Sequence, residues 1–394
     1  MIEQIRAKAT QYFPDVQEIR HHIHSHPELS FEEYNTSAYI SGKLNEWGIQ
    51  HQAGVAGTGI VAMITGGIPG RCIALRADLD ALPIQEENDT TYCSQNAGVM
   101  HACGHDVHAS CLLGVARILN DLKDELHGTV KLIFQPGEEK HPGGASLMIA
   151  AGVLENPKPE AIYALHVYPN LPSSTVGFRA GQYMASADEI YITIDGKGGH
   201  AALPHLAVDP IAIAALVITG LQQVVARKAN PLIPSVLSFC KIQGGFATNV
   251  IPGKVEILGT FRTMNEAWRA EAHYWIKDYV IKTCEAYGAV ATIDIPPGYP
   301  SLYNDIALTR QAEDWARDFI GAENVKELDM RMAGEDFSFY TQHMPGCFFR
   351  IGTNKNGKEF TSPVHTPTFN IHEEAMITGV GMMSWFAMNA TKPV

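Results

Sequence analysis

At 394 residues the chain exceeds the usual single domain, and 46% hydrophobic content with a mean hydropathy of −0.05 describes a globular sequence with ample core. Its 42 acidic and 29 basic residues leave a net charge of −13 with no basic run, which argues against nucleic acid as a partner. Seven scattered cysteines predict free thiols in a reducing, cytoplasmic setting. The longest apolar run, 211–218, is far short of the roughly 20 residues of a membrane span, and the N-terminus lacks the apolar core of a signal peptide.

Residues 1–26 read as helix, with Pro14 expected to break it in two. The cluster His21, His22, His24 and His26 looks metal-like by composition. Nothing else in its surroundings supports ligand duty. Strand patterns at 59–65 and 71–75 follow, the second running into Asp78-Leu79-Asp80, where i and i+2 acids leave a strand end on one face. The stretch 100–108, Met-His-Ala-Cys-Gly-His-Asp-Val-His, stands at the threshold of an apolar helix carrying Leu112, Leu113, Ala116 and Leu119. Cys103 and His105 are separated by one residue. On extended backbone both side chains point the same way, a pairing suited to zinc. A nearly all-apolar strand at 129–134 ends in Gln-Pro-Gly-Glu138-Glu139, and after a helix at 144–154 a strand at 161–165 ends at His166. This rhythm predicts an α/β fold, a mostly parallel sheet with helices on both faces and a site beyond the strand carboxyl ends.

From 185 the pattern changes to strand 189–194, helix 208–226, strands 236–242 and 254–261, helix 266–287 and strand 290–295. That β-α-β-β-α-β order predicts a ferredoxin-like α+β domain at 185–297, inserted into a larger domain formed by 1–184 and 298–394. The larger domain resumes with helix 307–319, strand 346–351, a loop at 362–367 carrying His365, and helix 373–388.

Arg-Ala-Asp-Leu-Asp80-Ala-Leu-Pro, His-Ala-Cys103-Gly-His105-Asp, Gln-Pro-Gly-Glu138-Glu139, Gly-Gly-His200-Ala-Ala-Leu-Pro, Ala-Thr-Asn249-Val-Ile-Pro, Gly-Thr-Phe-Arg262-Thr and Ala-Gly334-Glu-Asp-Phe occur in this order. The series closely resembles the dinuclear metallopeptidases that include aminoacylases, glutamate carboxypeptidases, hippurate hydrolases and auxin-conjugate amidohydrolases. The resemblance runs from Arg20 to the last helix, and its specificity lies in the full ordered set. It implies a metal-binding catalytic domain and a lid that also makes a homodimer contact, with higher assembly left open. It implies two divalent ions per subunit (Zn²⁺, Mn²⁺ or Co²⁺), bridged by Cys103. Glu139 and His365 would complete one metal site, and His105 and His166 the other. Glu138 would be the general base, Asp80 would orient a ligand, and His200 would reach the centre of the partner chain to stabilise an oxyanion. Asn249, Arg262 and Gly334 would lie against the substrate.

The peptidase branch has His-x-Asp where this chain has Asp78-Leu79-Asp80. Cys103 likewise stands where that branch has aspartate. Both departures point to the hippurate and auxin-conjugate branch and to N-acyl amino acids, with a metallo-dipeptidase or carboxypeptidase as the alternative. A non-catalytic binding protein on the same fold would have lost Glu138 or a ligand, and all are present. Neither Gly-x-Ser-x-Gly nor a Walker lysine motif occurs, so serine hydrolases and nucleotide-dependent enzymes have no support.

Overall fold

A computed structural model describes residues 1–393, which separate into two compact units. The first comprises Met1–Gly181, Tyr303–Asp329 and the chain from Asp336 onward. The second comprises Gln182–Leu302 with Met330–Glu335. The short return segment 330–335 clusters with the second unit, which no composition shift in the sequence announces.

The first unit is built on an eight-stranded mixed sheet. Strand Ile68–Asp78 lies at its centre, parallel to His127–Gln135 on one side and to Ile162–Pro172 on the other, and the latter is parallel to Gly346–Asn354. The chain therefore leaves the central strand for one neighbour and later returns to its opposite flank, which opens a crevice at the strand carboxyl ends. In His127–Gln135, Val130, Leu132 and Phe134 join a core shared with helices Ile2–Ser25, His105–Asp121 and Ala375–Ala390. Lys131 is instead buried with its ammonium on the carbonyls of Val153 (2.8 Å), Glu155 (2.7 Å) and Pro157 (2.9 Å). Alternation along the strand thus sends successive side chains into different layers.

Three local expectations change. Helix Ile2–Ser25 runs unbroken through Pro14. Pro14 is exposed there, so water can satisfy the carbonyl that loses its helical donor. The helix starting at Gly144 stops at Ala150, ahead of a left-handed Gly152. His166 lies inside strand Ile162–Pro172 rather than at its end.

The second unit carries an antiparallel four-stranded sheet in the order Ser235–Gln243, Lys254–Thr263, Asp188–Asp195, Val290–Asp294. Ile190, Ile192 and Ile194 alternate into a core with Ile213, Val217 and Leu221 of helix Pro210–Gln223 and with Trp268, Ile276 and Val280 of helix Glu266–Ala286. Asp209 caps the first helix by accepting from the Ile211 and Ala212 amides, and Asn265 caps the second at Trp268. The first helix continues as a π-turn to Lys228. By length and composition alone, Pro210–Lys228 is long and apolar enough to cross a membrane, which the run 211–218 did not suggest. One face of it packs on the sheet.

Candidate metal centre

Strand ends and one loop of the first unit bring the chemistry together. The Cys103 Sγ atom lies 3.5 Å from His166 Nε2 and 3.3 Å from His365 Nε2. Glu139 Oε1 is 3.0 Å from His365 Nε2, though out of line for a hydrogen bond, and 4.0 Å from His105 Nε2. Glu138 Oε2 is also 4.0 Å from His105 Nε2. Cys103, His105 and His166 form one potential ligand group. Cys103 with Glu139 and His365 forms a second, and His105 with both glutamates a third.

The backbone route to this convergence differs from the extended dipeptide read in the sequence. Gly104 is left-handed (φ 85°), and a Cβ there would come within 2.6 Å of Val167. The chain turns through Gly104 into the helix, so His105 is the helix's first residue and Cys103 precedes the turn. His365 is itself left-handed (φ 64°), and its amide donates to the Ala102 carbonyl at 2.7 Å, which ties the distant loop to the cysteine segment.

Asp80 organises two of these groups. Its Oδ1 is 3.0 Å from His105 Nδ1, while Oδ2 accepts from Ser30 Oγ (2.6 Å) and from the Glu139 amide (2.9 Å). Burial would raise the Asp80 carboxyl, but the bond and charge of His105, with Ser30 and the Glu139 amide, hold it below the usual range. An ionised Asp80 only accepts, so His105 donates from Nδ1 and turns Nε2 into the site, where a metal could displace its proton. That nitrogen is buried with no hydrogen-bond partner. His166 is arranged alike, with Nδ1 bonded to the Val167 carbonyl (2.8 Å) and Nε2 facing Cys103. Burial, with Arg350 and His108 nearby, pushes His166 well below the usual imidazole range, which favours the neutral form a metal needs.

The remaining shifts describe a site that attracts cations. The hydrogen bond to Cys103 and the adjacent Glu139 carboxylate push His365 up to about 10. Burial would lower His105, yet Asp78, Cys103 and Asp80 outweigh it and raise it well above its ordinary value. Burial and Glu139 raise the Cys103 thiol. A thiolate and two carboxylates among imidazoles bind protons strongly for the reason they would bind a borderline-soft divalent metal. The donor set and the orphaned His105 nitrogen fit such ions.

Several contributors escaped the sequence reading. His108 bonds Asp78 (2.5 Å) through Nδ1 and accepts the Val167 amide (3.0 Å) at Nε2, which steadies the strand carrying His166. Arg76 joins Asp78 (2.6 Å) to Asp336 (2.8 Å), and the Asp336 amide approaches Glu138 Oε1 at 3.4 Å. Glu33 accepts the Gly137 amide (2.8 Å) and fixes the loop before Glu138. Gly137 is required there, because a Cβ would sit 2.2 Å from the Phe31 ring. The histidines at 21–26 are engaged elsewhere. His24 bonds Asp106 and Glu86, His21 pairs with Glu373, His22 stacks on Tyr39, and His26 bonds the His22 carbonyl.

The other candidates belong to the second unit. His200 pairs with Val250, one residue after Asn249, across a two-stranded ladder. Its Nδ1 accepts the Ala202 amide at 3.1 Å, so the proton resides on Nε2. Arg262 Nη1 donates to the Met332 carbonyl at 3.4 Å and lies 3.6 Å from the position a Cβ on Gly334 would take.

The model of peptidase family M20/M25/M40 matches residues 74–389. The chain belongs to this family. It is 41% identical to the N-acetyl-L-cysteine deacetylase of Bacillus subtilis over 91% of this chain and 84% of that one. It is 35% identical to thermostable carboxypeptidase 1 of Saccharolobus solfataricus over 96% of each. The solved YXEP protein of Bacillus subtilis, described as a dinuclear metal binding peptidase, superimposes with a TM-score of 0.83 at 34% identity, over 98% of this chain and 100% of that one. This M20-family chain is accordingly a hydrolase of amide bonds.

Proposed function

We propose that this M20 hydrolase cleaves N-acyl amino acids into a carboxylic acid and a free amino acid, with two divalent ions held by Cys103, His105, Glu139, His166 and His365. The observation that carries the reading is the Cys103 thiol between His166 and His365, at 3.5 and 3.3 Å. Asp78, where the peptidase branch has its histidine ligand, is committed to Arg76 and His108. The deacetylase relative supports the same substrate class.

Bound metal would supply acidification of water and polarisation of the amide carbonyl. Glu138 takes the proton from the attacking water and returns it to the departing amine. The Nε2–H of His200 donates to the developing oxyanion, from the partner chain of a homodimer. Arg262 and Asn249 hold the substrate carboxylate, with Gly334 leaving room beside the guanidinium. Zn²⁺, Mn²⁺ and Co²⁺ all suit the mixed donor set.

The test is a panel of N-acetyl, N-benzoyl and indoleacetyl amino acids against dipeptides and carboxylate-blocked amides, with metal content measured in parallel. N-acyl amino acids should be the best substrates, and their amides poor ones. Faster turnover of dipeptides would replace this reading with a dipeptidase or carboxypeptidase.

A further inference from the structure

The second unit holds a cavity of about 580 Å³ between helices Pro210–Gln223 and Glu266–Ala286, within the range of small-molecule sites. Leu216, Val224, Trp275 and Tyr279 line it, together with Arg227 and Lys228 from the turn that ends the first helix. Leu216 is 43% exposed although it belongs to the most apolar helix of this unit. The two helices can lie this close because residue 220 is glycine. A Cβ there would fall 1.6 Å from the Tyr279 hydroxyl, so any side chain would drive that ring out of place.

These two cations are presented by a change of helical pitch. Val224–Lys228 forms a π-turn, closed by the Ala229 amide on the Val224 carbonyl at 3.1 Å, and π-turns recur where side chains are re-aimed for binding. Lys228 places its ammonium 3.9 Å from the Trp275 ring centroid, and Arg227 donates to the carbonyl of Ala226 at 2.9 Å. Among the described residues neither cation has a carboxylate partner, whereas Lys282, also on the cavity wall, is paired with Asp278 at 2.8 Å. Two uncompensated cations beside an aromatic and aliphatic cavity, in a protein of net charge −13, call for an anion with an apolar body.

We propose that this cavity is a second, non-catalytic binding site for an amphipathic monocarboxylate, its aromatic or aliphatic body against Trp275 and Tyr279 and its carboxylate on Arg227 and Lys228. Acids of this class are what hydrolysis of an N-acyl amino acid releases. Identifying the occupant as such a product rests on the function proposed above. The site itself does not, and its test needs no turnover.

The probes are phenylacetate and octanoate, with phenylacetamide as the neutral control, titrated into the full chain by calorimetry and by tryptophan emission. Saturable binding should quench emission, weaken with added salt, and leave no emission change in Trp275→Phe. Arg227→Gln combined with Lys228→Gln should weaken this event at least about tenfold, because the carboxylate loses both partners. Both positions are exposed, so the fold is expected to survive, and circular dichroism checks it. The event should persist after chelation of bound metal and in Arg262→Ala, which separates it from carboxylate binding at the metal centre. Equal affinity in the double variant, or equal binding of the neutral amide, would overturn the proposal. So would a groove that binds no acid while the double variant alters the sedimentation of the protein, since a second copy would then be the occupant.

Discussion

Asp80→Ala should release both proposed metal ligands that Asp80 positions, His105 and Glu139, without touching the ligand atoms themselves. The carboxylate is nearly fully buried and holds His105 at 3.0 Å, the Glu139 amide at 2.9 Å and Ser30 Oγ at 2.6 Å. Loss of a residue that orients one ligand typically costs about 10–100-fold in metal affinity. Asp80 orients one ligand through its side chain and a second through its backbone. At roughly 1.5 kcal/mol for each charge-assisted bond, the two together come to about 3 kcal/mol, or on the order of 10²-fold. Ser30→Ala removes only the third bond and leaves both ligands tied, so it should cost under about threefold by the same reasoning. The assay is competition between metal-free protein and a chromogenic chelator, with calorimetry giving the stoichiometry. Unchanged affinity in Asp80→Ala would refute the orienting role. Equal losses in the two variants would show that the bonds serve packing alone.

Glu138→Gln should keep its metal while turnover falls by about 10²–10⁴-fold, and wild-type turnover would remove Glu138 from proton transfer. Cys103→Ser should lose metal on chelator titration, because a neutral hydroxyl replaces a thiolate poorly, and full stoichiometry would argue against the bridge. His200→Ala should lower turnover by roughly 10²–10³-fold, the cost of one oxyanion donor. Subunit exchange with Glu138→Gln should restore activity if the two residues act from different chains, and inactive mixtures would place His200 in its own chain or outside the mechanism. In the second unit, burial opposes ionisation of Asp188, yet bonds from Arg269 and His273 bring its carboxyl from 3.8 to about 2. A depressed carboxyl contributes stability above its unfolded value that is lost as pH falls through the folded one. Thermal stability should therefore drop between about pH 4 and pH 2, by roughly 2 kcal/mol in total. Asp188→Asn should flatten that limb, and an unchanged profile would show that Asp188 is not the titrating group.

What could be read in the sequence was whatever declares itself within a few residues. Alternation in 188–195 and helical spacing in 105–121 gave the elements, because each must bury one face or, for the central helix, nearly all of its surface. The metal candidates were legible for a related reason. Glu138 and His166 follow apolar strand segments and Cys103 precedes an apolar helix, and polar groups in such places are aimed at the crevice. What could not be read was every tie whose partner is distant in sequence, such as Glu33 to Gly137, Arg76 to Asp336, or the His365 amide to Ala102. The turn at Gly104 belongs with these, since the close approach of Val167 makes glycine necessary there and sixty-odd residues intervene. Asp78 and Asp80 show the limit most directly. By spacing alone they are equivalent acids at i and i+2, and only the family resemblance singles out Asp80. In the structure, Asp78 meets Arg76 and His108 and stabilises the strand ends, while Asp80 meets His105 and the Glu139 amide and sets the geometry of two candidate ligands. Their chemistry is the same, and the partners supplied by the fold divide their roles.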